Sequence, residues 1–170
     1  MADYGKELSA VASYFNVKCG QISFTGNEKV VCMKTQTGTV KGLATISRHL
    51  AQNSSKQKCL GTCPLDQALV SQWLEYRVLQ VDRCSREDDL HRVLKELNGY
   101  LSDRTYFAGP YLTLADLSLY YGLHRTFVKL SFQEKEKYIH LSRWFNQIQH
   151  ENNARQKFSA IQFLKTPIYQ

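Results

Sequence analysis

The chain has 170 residues, enough for one compact unit or two small domains with a buried core. It carries 22 Lys/Arg against 15 Asp/Glu, a net charge of +7, and the first 62 residues hold eight of those bases against three of the acids. No signal-peptide pattern is seen, and no apolar run approaches the roughly 20 residues that span a bilayer, so a soluble cytosolic chain with no membrane contact is expected.

The five cysteines are odd in number and scattered, which favours reduced thiols. Cys59 and Cys63 have no second Cys/His pair at ligand spacing, so no metal is expected. The basic excess of the front third would suit RNA or an acidic protein surface. Lys6, Lys18, Lys29, Lys34 and Lys41 are dispersed, however, and read first as solvated side chains.

In chain order, Leu8, Val11, Ala12 and Phe15 recur at helical spacing and predict a short amphipathic helix over 5–15. Residues 16–28 are polar, with Ile22 and Phe24 marking a short strand. Val30-Val31-Cys32-Met33 is a β-branched run, and Gln36-Thr37-Gly38 turns the chain into Thr39-Val40, which predicts a hairpin. Leu43, Ile46 and Leu50 mark a helix ending near Gln52. The polar residues 53–58 read as a linker, which divides a front unit, 1–55, from a second unit, 64–170.

Everything after residue 64 reads as helix. Over 65–83, Leu65, Leu69, Trp73 and Tyr76 form one stripe, and Val70, Leu74, Val78 and Val81 form another. Two stripes predict two packing partners, the chain's own core and something else. Residues 89–102 carry one apolar stripe, Leu90, Val93, Leu94, Leu97 and Leu101, behind Glu87-Asp88-Asp89, whose charges suit a helix N-terminus. Leu112-Thr113-Leu114-Ala115-Asp116-Leu117 combines a capping pattern, Thr113 to Asp116, with a hydrophobic staple, Leu112 to Leu117. It opens a helix over 114–130 so apolar that it reads as a buried centre. A further helix restarts around Lys135 and carries Leu141, Trp144, Phe145 and Ile148. Phe158, Ile161, Phe163 and Leu164 close the chain against the bundle, and the five histidines are too dispersed to act as ligands.

A small hairpin-and-helix front, a linker and a five-helix bundle with a capped central helix together resemble the glutathione transferases. The likeness covers most of the chain. Four segments narrow it: Gln72-Trp73-Leu74-Glu75-Tyr76-Arg77-Val78, Tyr120-Tyr121-Gly122-Leu123-His124-Arg125, Gln133-Glu134-Lys135-Glu136-Lys137-Tyr138 and Ser142-Arg143-Trp144-Phe145. These resemble the glutathione-transferase-like subunits of the multi-aminoacyl-tRNA synthetase complex. The fold class implied is α+β, a truncated thioredoxin-like front followed by an all-helical bundle.

The transferase chemistry is not expected to survive. A full thioredoxin-like front needs roughly 40 residues before its hairpin, and only 29 precede Val30. Val31 stands where the family has a cis-proline, and Gly42-Leu43 stands where an acid-Ser pair would hold the γ-glutamyl group. Tyr4 and Cys19 are the remaining candidate thiol-activating donors, and neither lies at a recognisable strand end.

The resemblance implies a scaffold with no catalysis and no cofactor. It binds the glutathione-transferase-like domains of methionyl-tRNA synthetase and glutamyl-prolyl-tRNA synthetase through two faces. One face lies on residues 43–52 and 65–83, the other at the end of the bundle near Arg143. The candidate contacts are Leu43, Ala44, Ser47, Leu50, Trp73, Tyr76, Arg77, Arg125, Arg143 and Trp144. Trp73 and Trp144 read first as core, and the three arginines also read as ordinary surface residues. A glutathione-dependent transferase, a weak tRNA contact and an elongation-factor accessory role stay open as alternatives. So do self-association of the isolated chain and entry into the nucleus.

Overall fold

The computed structural model describes residues 3–26, 30–36 and 38–163. It opens with helix α1, Tyr4–Tyr14, capped by the Asp3 side chain, which accepts from the Lys6 N–H at 3.1 Å. α1 stops at Asn16, whose φ of 54° is the left-handed conformation that asparagine tolerates best after glycine. Three strands follow, β1 (Ile22–Thr25), β2 (Val30–Thr35) and β3 (Gly38–Lys41), in an antiparallel meander with β2 at the centre. Ile22 pairs with Met33 on one side, and Cys32 with Lys41 on the other. Thr37, in the predicted hairpin turn, lies outside the described residues. Helix α2, Leu43–Gln52, packs on β2 and β3, and α1 packs against α2. The predicted strand, hairpin and helix are all present.

Residues 53–63 hold a 3₁₀ turn, Gln57–Leu60. Five helices then form the bundle: α3 (Pro64–Tyr76), α4 (Glu87–Tyr100), α5 (Leu114–Lys129), α6 (Phe132–Lys137) and α7 (Ile139–His150). α3 ends in one π-helical turn, Arg77–Val81, closed by the Asp82 N–H on the Arg77 carbonyl at 3.0 Å. The helix predicted to restart near Lys135 begins earlier. Ser131 and Glu134 form a capping box that starts α6 at Phe132, and the chain then breaks at Tyr138 before α7.

α5 is the centre that its sequence announces. Asp116 is fully buried and reaches back to the Thr113 N–H at 3.0 Å, while the Thr113 hydroxyl donates to the same oxygen at 2.7 Å. Its other oxygen accepts from the Phe107 N–H at 2.9 Å and from Trp144 Nε1–H at 3.0 Å. The capping acid therefore also ties α7 and the preceding loop to α5. Phe158 and Ile161 cover one side of the bundle, and Gln149 exchanges two hydrogen bonds with the Ile161 backbone. Leu164 lies outside the described residues.

One apolar core runs from Leu8 and Val11 through Ile46 and Leu50 to Leu117, Tyr120, Trp144 and Phe145. Where the sheet side meets the bundle, a charged cluster is buried. Arg77 has no exposed surface; it donates to Glu7 of α1 at 2.8 Å and pairs with Asp82. Tyr4 donates its hydroxyl to Asp82 at 3.0 Å. The guanidinium passes over Gly122 so closely that a Cβ there would overlap it, which requires glycine at that point of α5.

Candidate protein-binding faces

β2 has no free edge. Val31 is paired with Phe24 of β1, and its carbonyl accepts the Gly42 N–H at 2.8 Å. The two candidate sulfur donors are also committed or displaced. Tyr4 spends its hydroxyl on Asp82, and burial raises its pKa. Burial also raises the Cys19 thiol, which lies in a surface groove with Lys18, Lys34 and His49. No group of three or more His, Cys, Asp or Glu able to hold a metal occurs among the described residues, and no helix is long and apolar enough to cross a membrane.

Along α2 and α3, where the first face is predicted, the surface is not made by the residues that the periodicity selects. Leu43, Ser47, Leu50 and Trp73 point inward, because the apolar positions of both helices are spent on the common core. These four are corrected from contacts to supports. Trp73 is held edge-on between Tyr76 and Tyr100, and Tyr76 is only partly exposed. Ala44 is partly exposed and remains at the surface. The outward positions are Thr45, Arg48 and Gln52 on α2, with Ala68, Gln72 and Glu75 on α3. Leu65 is 69% exposed at the start of α3 and Leu79 is 46% exposed in the π-helical turn. Arg48 crosses from α2 to α3 and donates to Ser71 Oγ at 2.5 Å. Arg48 and Ser71 are missed by a search for apolar stripes; the signal for them is their place one turn from Ala44 and Ala68, on the polar side.

The second predicted face centres on Arg143, which is exposed on α7. Its guanidinium donates from Nη2 to the carbonyls of Leu101 and Arg104, both at 2.8 Å. It thereby covers the carbonyl end of α4, where a cation is favoured, and is held in one orientation at the surface. Arg104 lies over the Tyr100 ring at 4.4 Å beside it. Ile139, 57% exposed, stands one turn earlier on α7. Trp144 is corrected: it is fully buried and its indole N–H belongs to Asp116. Arg77 is corrected too, since all of its surface is inside the chain. Arg125 is exposed on α5 and lines a third region, a groove with Lys6, His124 and Lys129. The structure therefore assembles two separate outward regions around Arg48 and Arg143, and leaves Arg125 in neither.

A family model described as the nuclear-export cofactor Arc1p matches residues 66–152. The chain is 49% identical to the eukaryotic translation elongation factor 1 epsilon-1 of Cricetulus griseus over 165 residues, which are 96% of this chain and 95% of that protein. The chain belongs to the eukaryotic translation elongation factor 1 epsilon-1 family. The chain is 28% identical to the bifunctional glutamate/proline–tRNA ligase of Mus musculus across 91% of its own length and 10% of the ligase. The fold is that of the glutathione transferases. A class Gtt2 enzyme of Vibrio parahaemolyticus superposes with a TM-score of 0.72 over 92% of each chain, at 18% identity.

Proposed function

We propose that this chain is a non-catalytic, cytosolic scaffold subunit of the multi-aminoacyl-tRNA synthetase complex. It holds the glutathione-transferase-like domain of methionyl-tRNA synthetase at one face and that of glutamyl-prolyl-tRNA synthetase at the other. The observation that carries this reading is the pair of outward regions, Arg48 with its neighbours and Arg143 with its neighbours, on a body with one continuous core. Two binding faces on one rigid body raise the effective concentration of the two partners for one another without a chemical step. The likeness to a short stretch of a glutamate/proline–tRNA ligase supports it, because modules of one shape then occur on both sides of a contact.

Co-purification tests the reading. The recombinant chain should retain both synthetase domains at micromolar concentration, with Arg143→Ala losing one and keeping the other. If neither domain is retained by the unmodified chain, the scaffold reading fails.

A second reading, a weak tRNA contact, is favoured by the groove of Lys18, Lys34 and His49, which no carboxylate of the described residues lines. Phosphate contacts strengthen steeply as salt falls, so an absence of tRNA binding even at low ionic strength removes it.

A further inference from the structure

Arg48 stands in a cleft of about 320 Å³ between α2 and α3, lined also by Gln52, Leu60, Gln67, Val70 and Ser71. No carboxylate lines that cleft, and no ion pair to Arg48 occurs among the described residues. Its hydrogen-bond partner among the described residues is neutral: the Ser71 hydroxyl accepts from Nη2 at 2.5 Å and donates to the Gln67 carbonyl at 2.7 Å. Ser71 thus positions the guanidinium without neutralising it. A partly buried guanidinium with no countercharge is costly to keep, and its planar fork matches a carboxylate in two parallel hydrogen bonds. Arg77 makes the contrast: the same chain gives its buried arginine two carboxylates, Glu7 and Asp82.

We propose that the cleft between α2 and α3 receives an Asp or Glu side chain from the facing helix of a glutathione-transferase-like partner domain, and that Arg48 is the residue that selects it. This rests on the scaffold reading above and adds the chemistry of one face. The surroundings suit a docking helix. Ala44 and Ala68 are small and at the surface, so a helix backbone can come close, and Leu65 offers an exposed apolar contact at the rim. A second copy of this chain is the other occupant of matching shape, but charge opposes it. From Leu8 to Leu65 the sequence holds seven Lys/Arg and one acid, Glu28, and the outward positions of α3 add a single carboxylate, Glu75, so pairing two copies through this side brings more bases than acids together. A partner with an acid at that point meets both requirements, attraction to Arg48 and exclusion of self-pairing.

Calorimetric titration of the full chain with the transferase-like domain of methionyl-tRNA synthetase tests this, with the corresponding domain of glutamyl-prolyl-tRNA synthetase as the second titrant. Arg48→Met should weaken one of the two by about 30-fold or more, as losing one member of a desolvated charge pair does, and leave the other unchanged. Ser71→Asp supplies Arg48 with an internal carboxylate; it should weaken the same titrant while the melting temperature holds, which separates lost recognition from lost folding. Arg48→Glu should regain binding when one Asp or Glu of that partner domain becomes Lys, which identifies the residue that enters the cleft. If the unmodified chain binds both domains and Arg48→Met binds both within threefold, the assignment of Arg48 is wrong while the scaffold stands. If the unmodified chain binds neither, both readings fall. If sedimentation shows that Arg48→Met abolishes self-association and leaves both titrations untouched, the occupant is a second copy and the proposal is overturned.

Discussion

His124 is 7% exposed on α5, and its Nε2–H donates to the Ser159 carbonyl at 2.9 Å. Burial is the main cause that pushes its pKa below the ordinary histidine value near 6.5; the hydrogen bond to Ser159 acts the other way, and the Lys6 charge adds to the lowering. The folded chain therefore holds the ring neutral over a pH range in which the unfolded chain binds a proton. Stability is complete above the unfolded pKa and falls as pH drops through it toward the folded value, at most about 1.4 kcal/mol per pH unit for one proton. Melting temperatures between pH 7.5 and 5.5 should fall for the unmodified chain. They should fall less for His124→Gln, whose amide N–H can still reach Ser159. An equal slope in both would mean that another group carries the pH dependence. The sequence announced no such role, because a histidine on an apolar helix looks the same whether it is core or site. Arg48 was invisible for a related reason: what marks it is a missing countercharge, a property of space and not of spacing.

At the scale of elements, local signals located most of the chain. The Thr113 cap and the stripes of α1, α2 and α4 follow from rules that act over one or two turns; so do the Asp3 and Ser131 caps, although these two are not among the expectations drawn from the sequence. The interruption between α6 and α7 did not, because its cause is distant. The Asn98 side chain on α4 accepts the N–H groups of His140 at 2.9 Å and Leu141 at 3.1 Å, and so gives α7 a start that its own sequence lacks. The stripes of α3 predicted two packing sides; the core took most of both and left Leu65 exposed, and the solvent side is the polar one between them. Asn98→Ala leaves two helix-start donors without partners and should cost about 1 kcal/mol, the usual scale for a lost cap. Amide exchange at His140 and Leu141 should speed up with it. Arg143 lies within a turn of that start, so the variant should also loosen the Arg143 contact with the end of α4. Unchanged exchange at both amides would show that Asn98 does not carry the cap.

The face around Arg48 is made half by α2, beside the sheet, and half by α3, in the bundle, so its shape depends on how those two parts are fixed together. The continuous apolar core supplies most of the adhesion, and the Arg77 cluster sets the register. Burial lowers the Arg77 pKa and raises that of Glu7, in each case against the attraction between them. The pair is thus expensive to desolvate, and its use is geometric: only one seating of α1 on the bundle gives Arg77 both Glu7 and Asp82. Removing the guanidinium leaves two buried carboxylates facing an apolar side chain. Arg77→Met should therefore lose about 3–5 kcal/mol of stability, with Gly122→Ala destabilising for the same reason, since its methyl would occupy the path of the guanidinium. Because one core joins both parts, denaturant unfolding should remain a single transition at a lower midpoint, seen alike by tryptophan fluorescence from Trp73 and Trp144 and by circular dichroism. Two separated transitions in Arg77→Met, with the bundle signal surviving the first, would show instead that α1, the sheet and α2 fold apart from the helices, and that the face around Arg48 is assembled from two bodies.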